Sequence, residues 1–245
     1  MPAPRPAAPR GSARPAAPRS APVVDARRAR ARRRPVRASL RFAALAVAGY
    51  LVACVVLLAA YRVVPPPVTT VQIQAALGRA LAGDSPAFAY DPVGEDGQDA
   101  DARHAVVASE DARFYDHAGF DLVEIRRARE DAERRGRAPR GASTLTQQLV
   151  KNLFLTNGRS YVRKAFEVPL TLAAELILPK ERILTLYLDV AEWGPRVYGI
   201  EAAARHHYGT TAGALSRNQA ARLAAVLPNP AERAPGDMGR TAARI

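Results

Sequence analysis

The chain has 245 residues, 48% hydrophobic and 6% aromatic, enough for one folded domain of ordinary size plus extra segments. Its formal charge of +13 would point to a polyanionic partner only if it lay on the folded part. Twelve Arg and one Asp fall in residues 1–41, a net of +11 that leaves +2 for residues 42–245, so the basicity belongs to a tail and nucleic acid is not an expected partner. A single cysteine, Cys54, excludes an intramolecular disulfide and any Cys-cluster metal site.

Residues 1–41 are rich in Arg, Pro and Ala and hold hardly any large apolar side chain, which predicts a disordered cytoplasmic tail. Phe42 to Tyr61 then runs without a charge between Arg41 and Arg62, long enough to span a bilayer. A buried core helix of this length would show a polar face, and this run has none. It also exceeds a signal-peptide core. A transmembrane helix is therefore expected over 42–64, with the Arg-rich side in the cytoplasm and everything from about residue 65 outside the inner membrane. Residues 65–101 read as a linker: Pro65-Pro66-Pro67 stiffens the exit, residues 71–82 form a short helix, and Asp91, Glu95, Asp96, Asp99 and Asp101 make a solvated loop without calcium-loop spacing.

From Ala102 to the end the chain reads as one mainly α domain. Asp121 with Glu124 is a capping box ahead of a helix that Gly136 ends. Ser216 with Gln219 repeats the device, and Pro228 stops that helix. Ile183, Leu184, Tyr187 and Leu188 share one face of a helix between them. No sustained period-two alternation and no internal repeat is present.

Three blocks could carry chemistry. The first, Glu110-Asp111-Ala112-Arg113-Phe114-Tyr115-Asp116-His117-Ala118-Gly119-Phe120-Asp121, sets two acids beside aromatics, which suits a carboxyl to proton transfer. An acidic helix end and a turn at Gly119 explain the same letters. In the second, Gly141 to Asn152, a helix capped by Ser143 places Thr144, Gln148 and Lys151 on one face, able to hold sugar hydroxyls and a phosphate. An exposed amphipathic helix would read alike. In the third, Arg159 to Glu167, Arg163 and Lys164 lie four and three residues before Glu167, the spacing of helical ion pairs, which on a surface contribute little.

Taken in order, these blocks resemble the motifs of the monofunctional biosynthetic peptidoglycan transglycosylases of glycosyltransferase family 51. The resemblance runs from about Ala102 to Pro230 through EDARFYDHAGFD, GASTLTQQLVKN, RKAFE, ILTLYLDVAEWG and EAAARHHYG followed by SRNQAARLAAVLPNP. It implies a lysozyme-like, two-lobed helical domain that polymerises lipid II at the inner membrane, extending a growing glycan strand within a cell wall synthesis or division complex. By the same resemblance Glu110 is the general base and Glu167 the second acid that organises the pyrophosphate end. Lys151, Arg159, Arg163 and Lys164 match cations around the pyrophosphate. Asp111, Phe114, His117, Ser143, Thr144, Gln147 and Gln148 match residues shaping the sugar sites. No cofactor is required on this reading, although Mg2+ or Mn2+ could sit near Glu110 or Glu167.

Asp189 stands where the fourth motif usually has Asn, Pro169 falls two residues after Glu167, and the last helix looks short. His104, His117, His206 and His207 lack zinc-ligand spacing. A lytic transglycosylase or lysozyme-like hydrolase is the nearest rival, but it needs no pyrophosphate cations; a nonenzymatic membrane scaffold is the other. The seven Arg of residues 126–140 suggest a segment that closes over the acceptor.

Overall fold

A computed structural model describes residues 24–138, 141–158 and 160–245, with side chains from Ala38 onward. The chain divides at Ala48 into a first unit, Met1–Ala48, and a second, Gly49–Ile245. The long helix α1 (Val24–Tyr61) runs through that boundary. Its Arg-rich part from Asp25 to Arg41 is helical, contrary to the expectation of disorder across 1–41. Ala and Arg are strong helix formers and readily extend a helix already nucleated by an apolar run. Residues 1–23 lie outside the described residues. Ala38–Tyr61 is long and apolar enough to cross a membrane, and it stays largely uncovered by the rest of the protein.

Within the second unit the end of α1 joins the core along one stripe. Cys54, Leu58 and Tyr61, spaced four and three residues apart, are buried, and Tyr61 stacks on Phe154 with ring centroids 6.4 Å apart. Arg182 secures the exit, its Nε donating to the Tyr61 carbonyl at 2.7 Å and its Nη2 to that of Val64 at 3.0 Å.

The remaining described elements are mostly helical: α2 (Thr70–Leu81), β1 (Ala89–Tyr90), α3 (Ala100–Glu110), α4 (Leu122–Arg135), α5 (Leu145–Phe154), α6 (Tyr161–Ile177), α7 (Lys180–Val190), β2 (Glu192–Gly194), β3 (Val197–Tyr198), α8 (Ile200–Tyr208), α9 (Arg217–Ala224) and the short α10 (Gly239–Ala242). The α7 helix is the axis of the domain. Every residue from Ile183 to Val190 is buried, so the single apolar face read from the sequence understates it. Neighbours on several sides cover its polar members as well.

The small sheet, in order β1-β3-β2, was not anticipated. Its strands have two or three residues each, too short for an alternating pattern. β1 lies parallel to β3 and β2 antiparallel to it, with Arg196 at φ 66° in the connecting turn. At the end of β3, Gly199 takes φ 85° where a Cβ would sit 2.6 Å from the Asp189 carbonyl oxygen.

Capping sets the helix starts. Thr144, rather than Ser143, caps α5 in a reciprocal box with Gln147. The reason is tertiary: Asp111 Oδ2 accepts from the Leu145 N–H at 3.0 Å and makes that residue the first of the helix. Asp121 caps α4 by accepting from Val123 and Glu124, without the return bond from Glu124 that a full box needs. Gly136 closes α4 in the left-handed conformation, and Ser216 with Gln219 forms the complete box on α9, which ends at Ala224, four residues before Pro228.

One departure from the expected motifs, Asp189, has a structural explanation. Asp189 uses both carboxylate oxygens, accepting from the Val93 N–H and Gln98 Nε2 at Oδ1 and from the Gly94 N–H at Oδ2. Burial nevertheless holds its carboxyl above the usual range. Helix α6 continues through Pro169 to Ile177. The acidic stretch is more ordered than a solvated loop: Asp99 caps α3, and Gln98 is buried against α7.

Candidate active site

Glu110 ends α3, and Gln148 lies one turn into α5. The Gln148 amide Nε2 donates to Glu110 Oε2 at 3.0 Å and to the Ser143 carbonyl at 3.4 Å, while its Oε1 accepts from the Tyr187 hydroxyl at 2.9 Å. A cavity of about 410 Å³ opens here, lined by Glu110, Asp111, Arg113, Asp121, Glu124, Arg127, Ser143, Thr144 and Gln148. A second cavity of about 230 Å³ shares Gln148 and Pro228 with it and is lined by Lys151, Asn152, Asn157, Tyr187, Glu192 and Tyr198. The carboxyl of Glu110 and the ammonium of Lys151 thus belong to adjoining chambers, with Gln148 between them.

Burial and the Arg163 guanidinium push the Lys151 ammonium below the usual lysine range, while Glu167, Glu192 and Glu110 act in the opposite direction. Glu192, on β2, has its own carboxyl raised by burial against the pull of Arg79, Lys151 and Tyr198. Neither Tyr187 nor Glu192 was expected at the site. Tyr187 looked like one more apolar-face residue, and Glu192 lies in a strand too short to leave a pattern.

The second acid is placed differently. Glu167 is buried on α6, with one oxygen taken by Arg163 and the other by Lys164. Arg163 also donates from Nε to the Gly158 carbonyl at 2.9 Å. The spacing that a surface ion pair would show here holds a buried carboxylate between two cations. Arg159 lies outside the described residues.

Several residues expected to shape the sugar sites support the cavity from behind. His117 Nε2 lies 3.0 and 3.2 Å from the two oxygens of Asp111, tying the aromatic loop to the start of α5. Phe114 is fully buried, with Lys180 Nζ 4.4 Å from its ring centroid. Gln147 is consumed in the cap, and the Thr144 hydroxyl donates to the Gly119 carbonyl at 2.7 Å. Asp111, Ser143, Thr144 and Gln148 line the cavity, whereas His117, Phe114 and Gln147 lie outside its lining.

Asp111, His117 and Asp121 bring one ligand-type atom each within 4.8 Å of one another, the one such cluster among the described residues. Their partners do not fit a divalent ion. Asp111 accepts from Leu145 and faces His117, and Asp121 accepts from Val123 and Glu124 while Arg113 Nε lies 3.2 Å away. The two carboxylates already face N–H groups and a guanidinium, while His117 Nδ1 is buried without a hydrogen-bond partner. At Glu167 both oxygens are likewise engaged by cations.

The site is thus a carboxyl and a lysine in adjoining chambers of a mainly helical domain. Residues 91–244 match the transglycosylase family model, and the chain belongs to that family. Proteins similar to it carry the name biosynthetic peptidoglycan transglycosylase. That of Rhizobium meliloti is 55% identical over 141 residues, covering 58% of this chain and 59% of that protein. The one from Pseudomonas aeruginosa is 46% identical over 181 residues, 74% and 78% respectively. The one from Bordetella pertussis is 58% identical over 132 residues, 52% and 54%. The chain therefore spans somewhat more than half the length of the first and third, and over three quarters of the second.

Proposed function

We propose that this chain is a membrane-anchored peptidoglycan glycosyltransferase that polymerises lipid II. Glu110 takes the proton from the 4-hydroxyl of the acceptor's N-acetylglucosamine as that oxygen attacks the anomeric carbon of the donor's N-acetylmuramic acid. The bond from that carbon to the pyrophosphate oxygen breaks, the configuration inverts, and undecaprenyl pyrophosphate leaves as an anion. Glu110 then returns its proton to water. Lys151, with Arg163 and Lys164 held by Glu167, offsets the charge that develops on the leaving group, and Arg159 is assigned to the same task by the resemblance alone. The observation that carries the reading is the juxtaposition of Glu110 and Lys151 on either side of Gln148, since inverting transfer requires a base on one side of the sugar and positive charge on the other.

The direct test is polymerisation of labelled lipid-linked disaccharide pentapeptide by purified protein in detergent, with and without added Mg2+ or Mn2+. Wild type is expected to make lysozyme-sensitive strands without the added ion, and Glu110→Gln to be slower by on the order of 10²- to 10⁴-fold. Release of soluble muropeptides from finished cell wall, with no polymer, would replace this reading with the hydrolytic one. The Arg-rich N-terminus supports an orientation with the tail in the cytoplasm and the domain outside the inner membrane. A C-terminal reporter active only in the cytoplasm would contradict it.

A further inference from the structure

Tyr187 occupies the middle of α7, where every residue from Ile183 to Val190 is buried. A phenol so placed needs a partner for its hydroxyl. It finds one in Gln148 Oε1 at 2.9 Å, and the same amide presents Nε2 to Glu110 at 3.0 Å. The two ends of an amide are nearly alike in shape and opposite in function, one accepting and the other donating. Were the amide turned round, its N–H could reach the phenol oxygen, but the phenol would lose the acceptor for its own proton, and a carbonyl would face the Glu110 carboxylate.

We propose that Tyr187 is a positioning residue for the base: by donating to Gln148 it fixes the amide so that its N–H faces Glu110, which holds that carboxylate ionised and ready to accept a proton. Burial and the nearby Glu110 charge push the Tyr187 hydroxyl well above the usual range, so it remains a donor throughout neutral and mildly alkaline pH. An N–H directed at the ionised form stabilises it, so losing the orientation raises the pKa of Glu110. The charged groups near Glu110 include Asp111 beside it, Lys151 from α5, and Arg113, Asp121, Glu124 and Arg127 around the first cavity, none of which the loss of the phenol oxygen alters chemically.

The inference rests on the proposed function only for its kinetic consequence, and its main test does not depend on turnover. The carboxyl carbon of Glu110 is titrated by NMR on full-length protein in detergent, its signal assigned by its loss in Glu110→Gln. Tyr187→Phe keeps the ring and is expected to raise the midpoint by about one pH unit. Gln148→Leu, which leaves Tyr187 in place, is expected to raise it by a similar amount, and it carries the test alone if Tyr187→Phe does not fold. An unchanged midpoint in a folded Tyr187→Phe protein, or in Gln148→Leu, overturns the proposal. In polymerisation, the acid limb of kcat for Tyr187→Phe is expected to move up with the midpoint while KM for lipid II stays unchanged. Absence of polymer from wild type would count against the proposed function and leave the titration to decide this inference.

Discussion

Lys151 owes its sensitivity to the charges around it. Its ammonium is lowered first by burial and then by Arg163, and raised by Glu167, Glu192 and Glu110. A lysine lowered in this way loses its charge at a lower pH than an ordinary one, so activity that depends on the cation falls as pH rises. Glu192→Gln removes one of the carboxylates that keep the ammonium protonated. The alkaline limb of kcat/KM is therefore expected to move to lower pH, and a profile between about pH 7 and 10 checks it. An unmoved limb would show that Glu192 does not act on Lys151. Glu110 and Lys151 are candidates through the family resemblance, since the acidic block alone reads as readily as a helix end followed by a turn. Gln148 was legible as a polar residue but not in its role, which depends on Tyr187, 39 positions away. Nothing local in either segment specifies that contact.

Among the elements, starts and stops were easier to read than burial. A capping residue acts on its own first turn, so Ser216 with Gln219, and Gly136 at the end of α4, could be assigned from their neighbours. The one-residue error at α5 came from Asp111, a partner 34 residues away. Thr144→Ala removes both the cap and the bond to Gly119, and is expected to cost about 1–2 kcal/mol in chemical denaturation. Gly199→Ala forces a side chain into a left-handed backbone conformation and against the Asp189 carbonyl. A loss of more than about 2 kcal/mol is expected, visible as a lowered thermal midpoint. An unchanged midpoint would mean that the turn between β3 and α8 can relax. The sheet escaped notice for a physical reason: its strands pair through backbone groups across the chain, and two residues carry no period.

At the scale of the whole molecule, the anchor also contributes to the core. Leu58 and Tyr61 are buried in the second unit, so a protein beginning at residue 65 leaves apolar surface uncovered. In detergent it is expected to be less stable than one beginning at residue 49 by roughly 3 kcal/mol or more, measured by thermal unfolding. Equal stability would make the end of α1 a tether and nothing else. The Arg-rich segment poses a separate question. If it recruits a cell wall synthesis or division complex, or binds anionic headgroups, deletion of residues 2–35 is expected to alter localisation without changing polymerisation by purified protein. Unchanged localisation would remove that role.

The sequence by itself determined the apolar span, the mainly helical class, the capping residues of α4 and α9 and the order of the charged blocks. Each of these follows from charge, period or hydrogen bonding within a few residues. Only the tertiary structure decided that Glu167 is buried between its cations and that Asp111 and His117 brace the loop. The same is true of Tyr187 and Glu192 joining the site. These outcomes depend on which distant side chain fills a given space, and a buried polar group takes its role from the partner it meets there.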